Sequence, residues 1–316
     1  RMRRLRAPRI REMVAETRLS CNDLVQPIFV DERISEPKAI EAMPGQFRQS
    51  LESVATEAQS LEDSGVPAVL LFGLPAQKDE MGSAAYDPHG IIQKAIAAIK
   101  ETTNLIVITD LCLCEYTSHG HCGLVRGEKI LNDETLPILG EVAVSHAQAG
   151  ADIVAPSGMM DHMVQAIRTA LDLDGYKDTS ILSYSAKYAS IFYVPFREAA
   201  ESAFAWGDRR GYQMNPANFS EALWEVQLDV EEGADMVMVK PAMPYLDVLR
   251  AVKDMFAMPT AAYQVSGEYS MITAAAKQGW LDEKAAFLES LTCIKRAGAD
   301  VVITYWAKNF AKCCMD

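Results

Sequence analysis

The chain has 316 residues, 49% of them hydrophobic, and a formal net charge of −13 at pH 7. This size and composition suit one large α/β barrel, and the acidic balance argues against nucleic acid as the main partner. The longest uncharged stretch, 64–77, is shorter than the ~20 residues that span a membrane, and no secretory leader is visible. We therefore expect a cytoplasmic protein without a membrane partner.

The N-terminal segment is strongly basic. Its first eleven residues include six arginines: Arg1, Arg3, Arg4, Arg6, Arg9 and Arg11. The pattern is typical either of an arm that grips an acidic surface or of a solvated tail, and composition alone favours the tail. No aromatic residues lie between these arginines, which weakens a nucleic-acid interpretation.

Eight short apolar runs, rich in β-branched residues, are predicted as strands. They are continuous and not alternating, as expected for strands buried on both faces. The predicted strands are Leu24–Val30, Ala68–Gly73, Leu105–Asp110, Asp152–Pro156, Ser180–Ser185, Asp235–Lys240, Thr260–Val265 and Asp300–Tyr305.

Amphipathic helices are predicted between these strands. Their ranges are 51–64, 88–101, 134–149, 161–173, 219–232, 245–255 and 283–297. Three Gly-Ala-Asp turns, which begin at Gly150, Gly233 and Gly298, lead from a helix into a strand and indicate one repeated βα unit. Alternating strands and helices imply a parallel sheet. Eight units favour a closed (β/α)₈ TIM barrel over a doubly wound sheet, and no Gly-x-Gly-x-x-Gly follows the first strand.

Two segments fall outside the regular units. Residues 1–23 are predicted as an extended N-terminal arm that precedes a barrel domain over 24–316. The irregular stretch 188–217 is too long for an ordinary connection, so we predict an active-site lid there.

A cysteine cluster follows the third predicted strand. Cys112, Cys114 and Cys122 lie within eleven residues, in a stretch that also contains His119 and His121. Three thiolates suit zinc, and three protein ligands leave a fourth position open, as in catalytic zinc sites. The position after a strand places the cluster at the carboxyl face of the barrel, where active sites of this fold lie. Each histidine is either a further ligand or a loop residue.

Two lysines lie at strand ends. Lys240 ends the apolar run Met236–Val239, and Lys187 follows Ser183–Ala186. Burial and a nearby second cation lower the pKa of a lysine, and the neutral amine attacks ketones to form a Schiff base. Two such lysines at the mouth of one barrel indicate catalysis.

Further polar residues are expected at the same face. Arginines bind carboxylates with two hydrogen bonds, and hydroxyls bind them with one. The strand ends supply Asp110, Ser157, Ser266 and Tyr305, and the insertion supplies Arg197, Arg209, Arg210 and Gln213.

At these residues the sequence resembles the porphobilinogen synthase (5-aminolevulinate dehydratase) family, of the zinc-cysteine type, over nearly the whole chain. The matching motifs are Asp110–Gly123, Ser185–Ser190, Met238–Pro241, Gly207–Arg210, Gln264–Glu268 and Arg296–Asp300. The resemblance implies a hydro-lyase of tetrapyrrole (heme) biosynthesis. It would condense two molecules of 5-aminolevulinate to porphobilinogen with loss of two waters.

The resemblance also implies roles for the residues. Lys240 would bind the first substrate in the P-site, where Ser266 and Tyr305 hold its carboxylate. Lys187 would bind the second in the A-site. The remaining implied roles are substrate binding by Arg197, Arg209, Gln213, Tyr193 and Phe196, proton transfer by Asp110 and Ser157, and zinc binding by Cys112, Cys114 and Cys122.

Other implications concern assembly and a second metal. Family members are typically homo-octamers joined through their N-terminal arms, which moves the interpretation of the basic segment towards an arm. Glu225 falls where some members bind an allosteric magnesium, although an exposed helix glutamate is the ordinary explanation. The chain departs from the family at Val194, usually glycine, and at His162, usually a small residue.

Two alternatives remain open on the residues alone. One is a class I aldolase-type barrel with one catalytic lysine and a structural zinc. The other is a zinc-storing scaffold without catalytic activity.

Overall fold

The computed structural model describes residues 2–315. Arg1 and Asp316, which belong to the predicted arm and barrel, lie outside the described residues. Eight parallel strands form the inner sheet, and the first pairs with both the second and the eighth, so the sheet closes into a barrel. The barrel strands are Leu24–Asp31, Ala68–Leu74, Ile106–Leu111, Ile153–Pro156, Ser180–Lys187, Met236–Lys240, Thr260–Gln264 and Val301–Thr304.

Helices cover the outside of the barrel. They are Leu51–Asp63, Ile91–Thr102, Asn132–Ala149, Met163–Leu173, Ser220–Glu231, Leu246–Phe256, Ser266–Lys277, Glu283–Ala297 and Ala307–Met315. The predicted (β/α)₈ barrel is therefore confirmed, with element ends that differ from the prediction by at most three residues. The helices Ser266–Lys277 and Ala307–Met315 were not predicted.

The helix Ser266–Lys277 has a start signal that the prediction overlooked. Glu268 accepts a hydrogen bond from the backbone N–H of Val265 at 2.5 Å and caps the first turn. Gly267 is buried inside this first turn. A Cβ at Gly267 would lie 2.6 Å from the carbonyl oxygen of Phe192, so close packing requires glycine here.

The three Gly-Ala-Asp turns share one structural role. Each glycine has a positive φ, between 105° and 120°, and ends a helix. The following aspartates, Asp152, Asp235 and Asp300, each accept a hydrogen bond at 2.7 to 2.8 Å from the backbone N–H of the neighbouring strand. Each also donates its own N–H back to that strand. The turns therefore fasten the third strand to the fourth, the fifth to the sixth and the seventh to the eighth.

Smaller elements surround the barrel. The short strand Phe47–Gln49 pairs in parallel with the end of the first barrel strand and in antiparallel with Lys38–Ala39. A separate two-stranded sheet is formed by Val125–Arg126 and Lys129–Ile130. Residues 3–20 include short helices, and none of these side chains is buried. No helix within residues 2–315 is long and apolar enough to cross a membrane.

Replacement of Asp235 tests the role of the Gly-Ala-Asp turns. Asp235→Ala leaves the N–H of Ile181 without its carboxylate, so we expect the free energy of unfolding to fall by about 1–2 kcal/mol. Asp235→Asn keeps an oxygen acceptor and should lose less. Urea unfolding followed by circular dichroism measures both, and equal midpoints for Asp235→Ala and the parent protein would contradict the role.

Candidate active site

The two predicted lysines are neighbours at the carboxyl end of the barrel. Lys187 ends the fifth strand, Lys240 ends the sixth, and the two residues are directly paired in the parallel register. Their exposed fractions are only 5% and 6%. Both line one cavity at the carboxyl face, so the strand register itself brings two amines to one site.

Aromatic rings surround the amine of Lys240. Its Nζ lies 4.2 Å from the ring centre of Tyr263 and 4.9 Å from that of Tyr184. The rings of Tyr193 and Phe196 follow at 5.3 Å each. Burial, together with the charge of Lys187, lowers the pKa of Lys240 to about 7. A large fraction of this amine is therefore neutral and nucleophilic near neutral pH.

A chain of hydrogen bonds connects Lys187 with Asp110. The Nζ of Lys187 donates to the carbonyl oxygen of Ser157, and the hydroxyl of Ser157 donates to Oδ2 of Asp110 at 3.0 Å. Burial raises the pKa of Asp110, although the two lysines act in the opposite direction. The three predicted residues thus form one contiguous polar row in the cavity.

The three predicted cysteines converge in the loop after the third strand. The sulfurs of Cys112, Cys114 and Cys122 lie within 4.8 Å of one another, and the first two are 3.4 Å apart. Three sulfurs at ~2.3 Å from a tetrahedral metal would be about 3.8 Å apart, so the cluster fits a metal ion without large movement. Among residues 2–315 no other group of three or more Cys, His, Asp or Glu ligands is this close.

In the absence of a metal, the electrostatic environment of the cluster favours ionisation of one of the three thiols. Hydrogen bonds from Cys112 and Cys114 hold the pKa of Cys122 well below its usual value, while the pKa of Cys114 is well above it because the two neighbouring thiols compete for charge. Three buried thiolates together would need a compensating cation.

The two histidines of this loop are hydrogen-bonded within the fold. His119 contacts the carbonyl oxygen of Glu80, and His121 contacts both the Tyr212 hydroxyl and the Trp206 carbonyl oxygen at 3.1 Å. Neither belongs to the ligand cluster. They support the loop and join it to the segment 188–217.

The segment 188–217 supplies unpaired polar groups. Buried atoms of Arg197, Arg209 and Gln213 have no hydrogen-bond partner among the described residues: one guanidinium nitrogen of each arginine and both amide atoms of the glutamine. Arg209 is fixed by its Nη2, which donates to the carbonyl oxygens of Gly120 and Ser202. Unpaired buried donors of this kind suit a carboxylate ligand. Arg210 points to solvent and is paired with Asp208.

Not every predicted residue reaches the cavity. The hydroxyl of Ser266 accepts a hydrogen bond from the Phe196 N–H at 2.9 Å, and the Tyr305 and Tyr263 hydroxyls are 3.1 Å apart. Neither Ser266, Tyr305 nor Gln213 lines the cavity, which instead includes Tyr193, Phe196, Arg197 and Arg209. The cavity volume is about 20 Å³, little more than one water molecule occupies. A ligand larger than a water molecule therefore requires this cavity to open.

Glu225 lies apart from this cavity. It is on the helix Ser220–Glu231 and lines an outer groove with Asp161 and Glu221. Burial and the surrounding carboxylates, Asp229 first among them, raise its pKa to about 7. The structure therefore places several carboxylates near Glu225, but among residues 2–315 they do not form a set of three close ligands.

Some site residues were missed in the sequence. Glu115 is buried, lines the cavity and accepts a hydrogen bond from the Cys114 thiol at 3.2 Å. Phe72 and Tyr184 pack beside the lysines. Glu115 lies inside the cysteine stretch, but only the spacing of the thiols was used to predict ligands there. No local sequence pattern marks an aromatic strand residue as part of a site.

The two departures from the family pattern have simple backbone explanations. Val194 is helical, with φ −56° and ψ −47°, and half exposed, so this position does not require glycine. His162 has φ +65°, a conformation in which histidine is enriched, and its Nδ1 lies 3.1 Å from Oε1 of Glu232.

Comparisons with known proteins show the family to which the chain belongs. A sequence model of the family described as ALAD, delta-aminolevulinic acid dehydratase, matches residues 1–313. Proteins of that name from Archaeoglobus fulgidus and Bacillus subtilis are 59% and 54% identical, and each alignment covers 99% of this chain and 97% of the relative. A crystal structure of the Toxoplasma gondii enzyme with its product porphobilinogen superposes with a TM-score of 0.96 at 44% identity, and covers 99% of this chain and 90% of that one. The chain belongs to the delta-aminolevulinic acid dehydratase family.

Proposed function

We propose that Lys187 and Lys240 carry out the family's reaction, the condensation of two 5-aminolevulinate molecules to porphobilinogen with loss of two waters. The observation that carries the proposal is the direct register pairing of two buried lysines that line one cavity. A class I aldolase-type site needs one such amine, and a storage scaffold needs none.

Lys240 binds the P-site substrate. Its neutral amine attacks the ketone carbon, the ketone oxygen leaves as water, and a C=N bond remains between Lys240 and the substrate. The rings of Tyr184 and Tyr263 exclude water from this imine. Ser266 and Tyr305 receive the substrate carboxylate once the Phe196 N–H and the Tyr263 hydroxyl release them.

Lys187 binds the A-site substrate in the same way. The unpaired nitrogens of Arg197 and Arg209, with the Gln213 amide, hold its carboxylate. Ser157 and Asp110 hold and pass the protons that leave carbon and nitrogen as the C–C and C–N bonds form. Each lysine amine leaves its substrate carbon as the new C–C or C–N bond to that carbon is completed, so both lysines are regenerated. Two substrate molecules therefore give one pyrrole and two waters.

Cys112, Cys114 and Cys122 hold a zinc ion. The thiolate chemistry of the donors and their sulfur spacing support zinc. Bound zinc supplies polarisation of the A-site carbonyl oxygen. Glu115 lies beside the cluster; burial raises its pKa to about 7, and a cation held by the cysteines would favour its charged form.

The remaining assignments concern closure and assembly. The segment 188–217 acts as the lid, and residues 1–23 act as an arm that packs on other copies in a homo-octamer, since none of residues 3–20 is buried in this chain.

Glu225 binds an activating magnesium ion, and the other ligands are mainly waters, which magnesium readily keeps. Its burial beside Asp229 and Asp161 supports affinity for a cation.

Turnover is the direct test of the proposed reaction. Protein incubated with 5-aminolevulinate and zinc should form porphobilinogen, detected by its colour reaction with an acidic aldehyde reagent. Cyanoborohydride should trap the substrate on Lys240 or Lys187, located by peptide mapping. Labelling of neither lysine would exclude the Schiff-base mechanism.

Replacement of Cys122 tests the role of zinc. Cys122→Ala removes the most acidic thiol of the cluster, so bound zinc should be lost and turnover should fall by at least about a hundredfold. The melting temperature should change little, because the closed sheet does not depend on the metal. Zinc per chain by atomic absorption and thermal unfolding measure both, with Cys293→Ala, outside the cluster, as the control. An unfolded Cys122→Ala protein would show that the zinc is structural.

The pH dependence of imine formation tests the environment of Lys240. Its pKa of about 7 leaves the amine protonated and unreactive at low pH and free above pH 7. The rate of cyanoborohydride trapping at Lys240 should therefore rise about tenfold between pH 6 and pH 8. Lys187→Met removes a neighbouring positive charge and should move the midpoint upwards. A parent midpoint near 10 would contradict the effect of burial.

A further inference from the structure

A network of charged residues joins the barrel rim to the segment 188–217. We call Asp31, Arg33, Arg48 and Glu201 the rim network. Asp31 ends the first barrel strand and is 1% exposed, and Arg33 donates to both of its oxygens at 2.8 Å. The same Arg33 reaches Oε2 of Glu201 at 2.7 Å. The barrel side of the network is thus fixed by a buried carboxylate.

Arg48 makes the central contacts of the rim network. It lies on the short strand Phe47–Gln49, and its side chain is 11% exposed. Its guanidinium donates to the carbonyl oxygens of Ala199 and Glu198 at 2.8 and 2.7 Å, and to Oε1 of Glu201 at 2.8 Å. Lys78 adds a hydrogen bond to the Glu201 carbonyl oxygen at 2.7 Å.

The contacts of Arg48 satisfy backbone carbonyl groups at the C-terminus of a helix. The last carbonyl oxygens of the short helix Val194–Ala199 have no partner within the helix, and a cation at a helix C-terminus is favoured by its dipole. Three nitrogens of the planar Arg48 guanidinium donate to two of these carbonyls and to the Glu201 carboxylate, a fixed spread of donors that the single ammonium nitrogen of lysine does not reproduce. Arg48 therefore fixes both the position and the end of this helix on the barrel.

The helix that Arg48 holds carries two residues of the site. Phe196 packs 5.3 Å from the Lys240 amine and 4.9 Å from the Phe72 ring, and Arg197 lines the cavity. The cavity volume is about 20 Å³, so the site must open to admit substrate, and this helix supplies two of the lining residues. Movement of the helix away from the cavity would break the contacts of Arg48, and closure would form them again.

We propose that Arg48 is a positioning residue for the reaction, one that holds the Val194–Ala199 helix closed over the cavity and sets the fraction of closed enzyme. The expected effect on turnover rests on the proposed function, whereas the expected effect on the position of the helix does not. Arg48 touches no reacting atom, and acts only through the helix that carries Phe196 and Arg197.

Hydrogen exchange and kinetics of Arg48→Ala test the proposal. Amide exchange over residues 194–204, measured by mass spectrometry on the zinc-loaded protein without substrate, should become at least about tenfold faster. The ratio kcat/KM for porphobilinogen formation should fall by about tenfold or more. Arg48→Lys should recover only part of the kcat/KM.

Arg168→Ala is the matched control. Arg168 is partly buried, donates to the carbonyl oxygens of Thr179 and Tyr176 and pairs with Asp172, far from the helix in question. It should alter stability without a change in exchange over residues 194–204. If Arg48→Ala does not fold, Glu201→Gln removes two ion pairs at a residue 38% exposed and should shift exchange and kcat/KM in the same direction.

Several results would overturn the proposal. Unchanged exchange over residues 194–204 in Arg48→Ala would show that the helix is held by other contacts. Equal losses of kcat/KM in Arg48→Ala and Arg168→Ala would indicate general destabilisation. A parent protein that forms no porphobilinogen would refute the proposed function, whereas the exchange result would still decide whether Arg48 holds the helix.

Discussion

The amines of Lys187 and Lys240 share one small buried volume, and water cannot screen their charges there. The barrel sets this constraint by backbone pairing alone, because Lys187 and Lys240 end adjacent strands in register. Burial and mutual repulsion then lower the pKa of Lys240 to about 7. The carboxylates of Asp110 and Glu115 limit this effect, and both line the same cavity. The chemistry follows from where two neighbouring strands end.

The barrel and the lysines could be predicted from the sequence because their signals are local. A strand buried on both faces is a continuous apolar run, and each of the eight runs was long enough to be distinguished from its flanking helices. Lys187 and Lys240 end such runs, and the cysteine spacing places three sulfurs in one loop. The Gly-Ala-Asp repeat also predicted a common unit, although only the structure shows that its aspartates fasten alternate strand pairs.

The residues that sequence reasoning missed act through contacts between distant segments. Arg48 and Glu201 are 153 positions apart, and each resembles an ordinary surface charge when considered alone. The helix Ser266–Lys277 was missed because Gly267 resembles a turn residue, whereas it is needed for the close approach of Phe192. Ser266 does not line the cavity, and its hydroxyl contacts the Phe196 N–H, a relation that no local pattern encodes.

The contact between Ser266 and Phe196 also connects closure with substrate binding. In the closed structure Ser266 accepts the Phe196 N–H and Tyr305 is paired with Tyr263, so both hydroxyls have partners without a ligand. By contrast, Arg197, Arg209 and Gln213 keep buried atoms that have no hydrogen-bond partner within residues 2–315. An unpaired buried donor costs more than a paired one, so a carboxylate gains more at the arginines than at the hydroxyls. The structure therefore leaves unpaired polar groups on the Lys187 side and none at the two hydroxyls on the Lys240 side, and under the proposed roles we expect the second substrate to stabilise closure.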